Sequence, residues 1–115
     1  KAYYSNTGRA LDFVAPGGDM RFDNNDDGFS DGILQKTLLN DTYTYKFYQG
    51  TATASSHVVA SYALLLSEGA SSEQIGEALR NTTIDLGPQG WDSQYGNGLI
   101  QIDAAYDSLF NIENQ

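Results

Sequence analysis

The chain of 115 residues has no cysteine, which excludes disulfides, thiolate metal sites and cysteine nucleophiles but leaves its compartment open. No apolar run approaches membrane-spanning length. Lys1-Ala2-Tyr3-Tyr4 lacks the charged-then-apolar layout of a signal peptide, so if the protein is exported the signal is expected outside this chain. Basic side chains are scarce, six against fifteen acidic ones, for a formal charge of -9. That potential repels phosphate backbones and anionic lipid, so neither nucleic acid nor a membrane is expected as partner. Histidine occurs once, as His57, and a lone imidazole without a matched acid points to packing rather than to catalysis.

What remains is a packed globular composition: 40% apolar residues, 12% aromatic residues and 12 glycines. The length fits one domain or part of one, with a modest core, and is short for a hydrolase with its own cleft. Disorder is expected only at residues 111–115.

Leu11-Asp12-Phe13-Val14-Ala15-Pro16-Gly17-Gly18 reads as a short buried strand stopped by Pro-Gly-Gly. Residues 19–32 are polar and form a loop. Residues 33–48 read as a β-hairpin, with Ile33 to Leu38 and Tyr43 to Tyr48 flanking Asn40-Asp41, and with Tyr43, Tyr45 and Phe47 alternating against Thr44, Lys46 and Tyr48. An apolar stretch follows in which Val58, Tyr62, Leu65 and Leu66 fall at helical intervals, predicting a central, largely buried helix over 51–67. Ser67-Glu68-Gly69 stops it. Ser71 and Gln74 are spaced as a capping box for a short surface helix carrying Ile75, Ala78 and Leu79. Ile102, Ala105, Tyr106, Leu109 and Phe110 predict a last helix.

Acidic residues concentrate at five aspartates from Asp19 to Asp31. Asp23, Asn25, Asp27, the Phe29 carbonyl and Asp31 alternate as the oxygen donors of a calcium loop do, with Gly28 at the bend. Leu34 stands where a bidentate Glu would close an EF-hand, and the flanking segments read as strands, so the loop is not an EF-hand; the expectation is a calcium site whose shell Asp19 or water could complete. A plain solvated acidic turn is the alternative; close like charges favour the cation.

Four blocks occur in order: Tyr4-Ser5-Asn6-x-Gly8; Asp12 through Gly18; Gly50-Thr51-Ala52-Thr53-Ala54-Ser55-Ser56-His57-Val58; and Leu79-Arg80-Asn81-Thr82 with Trp91-Asp92-x-x-Tyr95-Gly96-x-Gly98-Leu99-Ile100. Together they resemble the C-terminal half of the catalytic domain of subtilisin-like serine proteases (subtilases, peptidase family S8). The family pattern Gly-Thr-Ser-x-Ala-x-Pro-His-Val differs here at Ala52, in the serine's place, and at Ser56, in the proline's. The resemblance implies an α/β three-layer fold with a parallel sheet, of which this chain is the C-terminal portion, completed by an N-terminal segment of the same precursor carrying the catalytic Asp and His. It makes Ala52 the nucleophile position, Gly50 and Thr51 the adjacent cleft wall, and Tyr48 and Gln49 the substrate edge on the leaving-group side. The histidine that follows the nucleophile, here His57, is structural in that family. The implied parent is a secreted or cell-envelope serine endopeptidase acting on peptides or proteins, inactive as written. Ala52 fits either an introduced inactivation or a natural pseudoprotease, so the alternative is a non-catalytic, calcium-stabilised peptide-binding module.

Overall fold

The computed structural model describes residues 1–111; residues 112–115, most of the tail expected to be disordered, lie outside the described part. The chain forms two compact units, one made of Lys1–Ser5 and Pro16–Ala54, the other of Asn6–Ala15 and the chain from Ser55 onward.

In the first unit, strands β1 (Ile33–Leu39) and β2 (Thr42–Tyr48) pair antiparallel from Ile33 opposite Tyr48 to Leu39 opposite Thr42. The two residues between them, Asn40 and Asp41, have φ of 48° and 61°. Positive φ at both central positions is what a tight hairpin turn compatible with strand twist demands, and Asn and Asp tolerate it best after Gly. The register gathers Leu34, Lys36 and Leu38 with Phe47, Tyr45 and Tyr43 on one face, where Tyr43 and Tyr45 are largely exposed. Phe47 is tilted against Phe29 of the acidic loop, with ring centroids 5.7 Å apart. The loop closes at its base, where the Asp19 N–H donates to the Asp31 carbonyl at 2.8 Å.

Helix α1 (Thr51–Ser67) begins in the first unit and continues into the second. It ends in a Schellman motif: Gly69, at φ 101°, donates to the Leu66 carbonyl and Ala70 to the Leu65 carbonyl. The second unit adds α2 (Ser72–Thr82) and α3 (Ile102–Phe110). Its core is Leu65, Ala70, Ile75, Ala78, Leu79 and Ala105, edged by Phe13, Tyr62, Ile100, Tyr106 and Phe110. The Ser71 capping box forms in both directions, Gln74 N–H to Ser71 Oγ at 3.2 Å and Ser71 N–H to Gln74 Oε1 at 2.8 Å.

Three expectations change. The stretch 11–14 is half-buried and makes only an isolated bridge, Val14 parallel to Leu99. Its carbonyls are shared between side chains and loop backbone: Trp91 Nε1 donates to the Leu11 carbonyl at 2.9 Å, Asn97 donates to the Asp12 carbonyl from both its backbone and its side-chain amide, and the Ile100 N–H donates to the Val14 carbonyl. Leu99 also pairs antiparallel with Ile84, where Gly98 is required because a Cβ there would run into the Ile84 carbonyl oxygen. Helix α1 is not largely buried. Its apolar residues point in all directions, and only the side bearing Ser61 and Leu65 is covered, leaving Val59 64% and Leu66 50% exposed. Conversely α2, expected on the surface, buries Ile75 and Leu79 completely.

Candidate functional site

Position 52, where the nucleophile is expected, sits where a strand hands over to a helix. Strand β2 ends at Tyr48, Gln49 and Gly50 make the turn, and α1 starts at Thr51, so Ala52 lies in the first helical turn and is exposed. That turn carries no acidic residue, leaving the positive end of the helix dipole uncompensated by charged side chains of its own first turn.

Backbone contacts with the Pro-Gly-Gly stop fix the turn. Gly50 N–H donates to the Gly17 carbonyl at 2.9 Å, and the Thr53 hydroxyl reaches the carbonyls of Gly50 at 2.6 Å and Gly17 at 3.0 Å. Tyr4 Oη donates to the neighbouring Gly18 carbonyl. The approach is close enough to require glycine at 17, because a Cβ there would lie 2.7 Å from Tyr4 Oη and 2.9 Å from the Gly50 carbonyl oxygen.

Tyr48, Gln49, Gly50, Thr51 and Ala52 are thus consecutive on one clamped turn, with Tyr48, Thr51 and Ala52 exposed and Gln49 and Gly50 partly covered. His57 is five residues further along α1, a rotation of roughly 140° away from position 52 at 3.6 residues per turn. Its carbonyl accepts from Ser61 Oγ at 2.8 Å. The helix therefore turns that imidazole away from the face that carries position 52.

Sequence reasoning missed the residues that brace this turn from outside. Gln49 Nε2 donates to Tyr3 Oη at 2.8 Å and its Oε1 accepts from the Met20 N–H at 2.6 Å. The Arg21 guanidinium lies 3.9 Å over the Tyr3 ring and binds the Asp19 carboxylate through Nε at 2.9 Å and Nη2 at 2.6 Å. Through that hydrogen bond, Arg21 holds the Asp19 carboxyl below its ordinary range. No spacing rule links positions 3, 21 and 49; only the proximity of Tyr3 to the Tyr4 block hinted at them.

In the acidic loop the predicted donors curl toward one another through the loop's own amides. The Asp23 carboxylate accepts from the N–H groups of Asp27 (3.2 Å) and Gly28 (3.0 Å). Asp27 accepts from the Phe29 N–H and from Asn25 Nδ2, both at 2.8 Å, while Asp31 accepts from Asn24. Positive φ at Asp26 and Gly28 produces the bend. Among the described residues no three His, Cys, Asp or Glu side chains converge closely enough to hold a metal ion in this arrangement. The donor chemistry, carboxylate, amide and carbonyl oxygens on one curled segment, nevertheless suits a hard cation.

Among the described residues no helix is long and apolar enough to cross a membrane. The sequence profile of the Subtilase family matches residues 1–98. Fervidolysin of Fervidobacterium pennivorans is 44% identical over 64 residues, covering 54% of this chain and 9% of that protein. The minor extracellular protease Epr of Bacillus subtilis (strain 168) is 32% identical over 120 aligned positions, covering 99% of this chain and 16% of its own length. Among solved structures, a lanthipeptide protease superposes with a TM-score of 0.75 at 30% identity, covering 91% of this chain and 38% of that one. The chain therefore spans well under half of each of these relatives.

Proposed function

Since this chain belongs to the subtilase family, with the α/β subtilisin-like fold of its structural neighbours, we propose that it is the nucleophile-bearing portion of a subtilisin-type serine endopeptidase. The observation that carries this reading is the placement of position 52, exposed in the first turn of α1 on a turn clamped by Gly17 and Thr53. A hydroxyl there stands at the positive end of a helix, which favours the negative charge that develops on a carbonyl oxygen under attack.

In the Ala52→Ser form the chemistry is an acyl transfer. A histidine supplied by the upstream segment, oriented by an aspartate of that segment, takes the serine proton as the oxygen attacks the peptide carbonyl. The tetrahedral intermediate collapses to an acyl-enzyme as the histidine returns the proton to the departing amine. Water, deprotonated by the same histidine, then releases the acid. Gly50 and Thr51 form the cleft wall beside that event, with Tyr48 and Gln49 at the edge on the leaving-group side. With Ala at position 52 no oxygen is available, so the chain as written is inactive. Peptide and protein substrates are proposed, with peptide precursors included because one neighbour is named a lanthipeptide protease. An extracellular or cell-envelope setting is proposed from a relative named as extracellular.

Calcium is proposed to bind the 19–32 loop through Asp23, Asn25, Asp27, the Phe29 carbonyl and Asp31, stabilising the folded form by binding it preferentially. Thermal denaturation with calcium and with chelator tests this. A higher midpoint with calcium is expected, and an unchanged one counts against a bound ion.

One observation favours a second reading, a calcium-stabilised, peptide-binding pseudoprotease: the nucleophile position lacks its oxygen while its turn is intact. The two separate when Ala52→Ser is made together with the upstream segment and treated with a serine-directed fluorophosphonate. Labelling supports the protease. A folded complex that stays unlabelled supports the binder.

A further inference from the structure

We propose that Gln49 is a positioning residue which holds the nucleophile turn through Tyr3, rather than a residue that meets the substrate with its amide. The inference rests on the protease reading above and concerns the same site.

Both ends of the Gln49 amide are engaged by other residues of the chain, Oε1 by the Met20 N–H at 2.6 Å and Nε2 by Tyr3 Oη at 2.8 Å. Two opposed hydrogen bonds fix the plane of an amide, and with it the backbone from which the side chain springs. Tyr3 is in turn held on two sides. Its ring meets Tyr4 edge-on at 5.2 Å, and Arg21 lies 3.9 Å over it. Arg21 is fixed by a two-point contact with Asp19, a geometry that orients a guanidinium more strictly than a single contact does. Asp19 is anchored through its N–H to the Asp31 carbonyl.

The turn bearing position 52 is thus gripped at both shoulders. Gly17 and Thr53 hold the helix side through Gly50, while Tyr3 and Met20 hold the strand side through Gln49. A nucleophile displaced by about 1 Å loses on the order of a hundredfold in rate, so the shoulder on the Gln49 side bears on the chemical step more than on substrate affinity.

Tyr3→Phe tests this, because it keeps the ring and the Arg21 stack and removes only the hydroxyl. In the Ala52→Ser form joined by the upstream segment, Tyr3→Phe and Gln49→Leu are each expected to lower kcat about tenfold or more with KM nearly unchanged. The double variant is expected to be no worse than Gln49→Leu alone. Gln49→Glu is expected to keep most activity, since a carboxylate accepts from both the Met20 N–H and the Tyr3 hydroxyl. If Gln49 instead touches substrate, Gln49→Leu raises KM and changes leaving-group preference while Tyr3→Phe is silent, which overturns the proposal. A second measurement needs no activity. In the Ala52 protein, hydrogen exchange at the Gly50 amide, which bonds to Gly17, is expected to accelerate in Tyr3→Phe, and unchanged exchange also overturns the proposal. Failure of Ala52→Ser to react with fluorophosphonate while Tyr3 and Gln49 are intact sinks the protease reading instead, and the exchange result then decides the brace by itself.

Discussion

At the scale of single residues, the site is built from glycine where backbones nearly touch and from short side chains that hold them there. Gly17→Ala puts a methyl 2.7 Å from Tyr4 Oη and 2.9 Å from the Gly50 carbonyl oxygen, so something must shift. Overpacking of this kind costs about 1–3 kcal/mol, and a lower denaturant midpoint with an unchanged slope is the expected signature. Asp19 offers a pH test. Its carboxyl is held below the ordinary range by Arg21, so the ionised form is favoured in the folded state. The stability it contributes is therefore present above the unfolded carboxylate pKa and lost as pH falls through the lowered folded value. The pair is exposed, and the energetic effect is correspondingly small. The titration itself is the better readout: by NMR the Asp19 carboxyl is expected to titrate below a free aspartate, and Arg21→Met is expected to return it to the ordinary range.

Elements follow from patterns that can be read locally, and their surroundings do not. The capping box at Ser71 and Gln74 was visible as spacing and forms as two hydrogen bonds. Ser71→Ala is expected to cost about 1 kcal/mol, measured as a fall in melting temperature, whereas Ser71→Asp, which can still cap, is expected to retain most of the stability. The hairpin was legible from its period-two alternation, and its Asn-Asp turn from residues that accept positive φ. Burial was less legible. Helix α1 has apolar residues on every side, and a periodicity argument cannot say which side finds a neighbour; α2 shows a cleaner stripe, yet its depth depends on Leu65 and Ala105, which the sequence does not place beside it. The strand-to-helix turn at Gly50 through Val58 was readable because its nine residues are contiguous. Its brace was not, because Tyr3, Arg21 and Gln49 meet through a fold that brings positions 46 residues apart within hydrogen-bond reach.

At the scale of the whole molecule, the distribution of apolar surface argues for a cover over α1, and the proposed cover is a segment of the same precursor. A helix that is apolar all round belongs inside a protein, and α1 leaves Val59, Leu64 and Leu66 at 64, 46 and 50% exposure. Fully burying a side chain of this kind is worth about 1.5–3 kcal/mol, and with about half of each already covered roughly half of that is left to gain, which over three residues on one helix still drives association. The net charge of -9 opposes packing one copy against another, which favours a different segment over self-pairing. In the subtilase reading that segment is the upstream part of the same precursor, carrying the catalytic Asp and His. The 12.5 kDa chain is therefore expected to elute as a one-to-one complex when co-expressed with it, with both masses recovered from a single peak. Leu66→Asp is expected to abolish the complex, because a carboxylate buried without a partner outweighs the gain from its neighbours. Leu65→Ala, on the covered side, is expected to lower stability by about 2–5 kcal/mol through a cavity without removing the exposed face. A cooperatively folded 12.5 kDa monomer that ignores the upstream segment, and whose elution Leu66→Asp leaves unchanged, would show that α1 needs no cover, and position 52 would then have no source for its base.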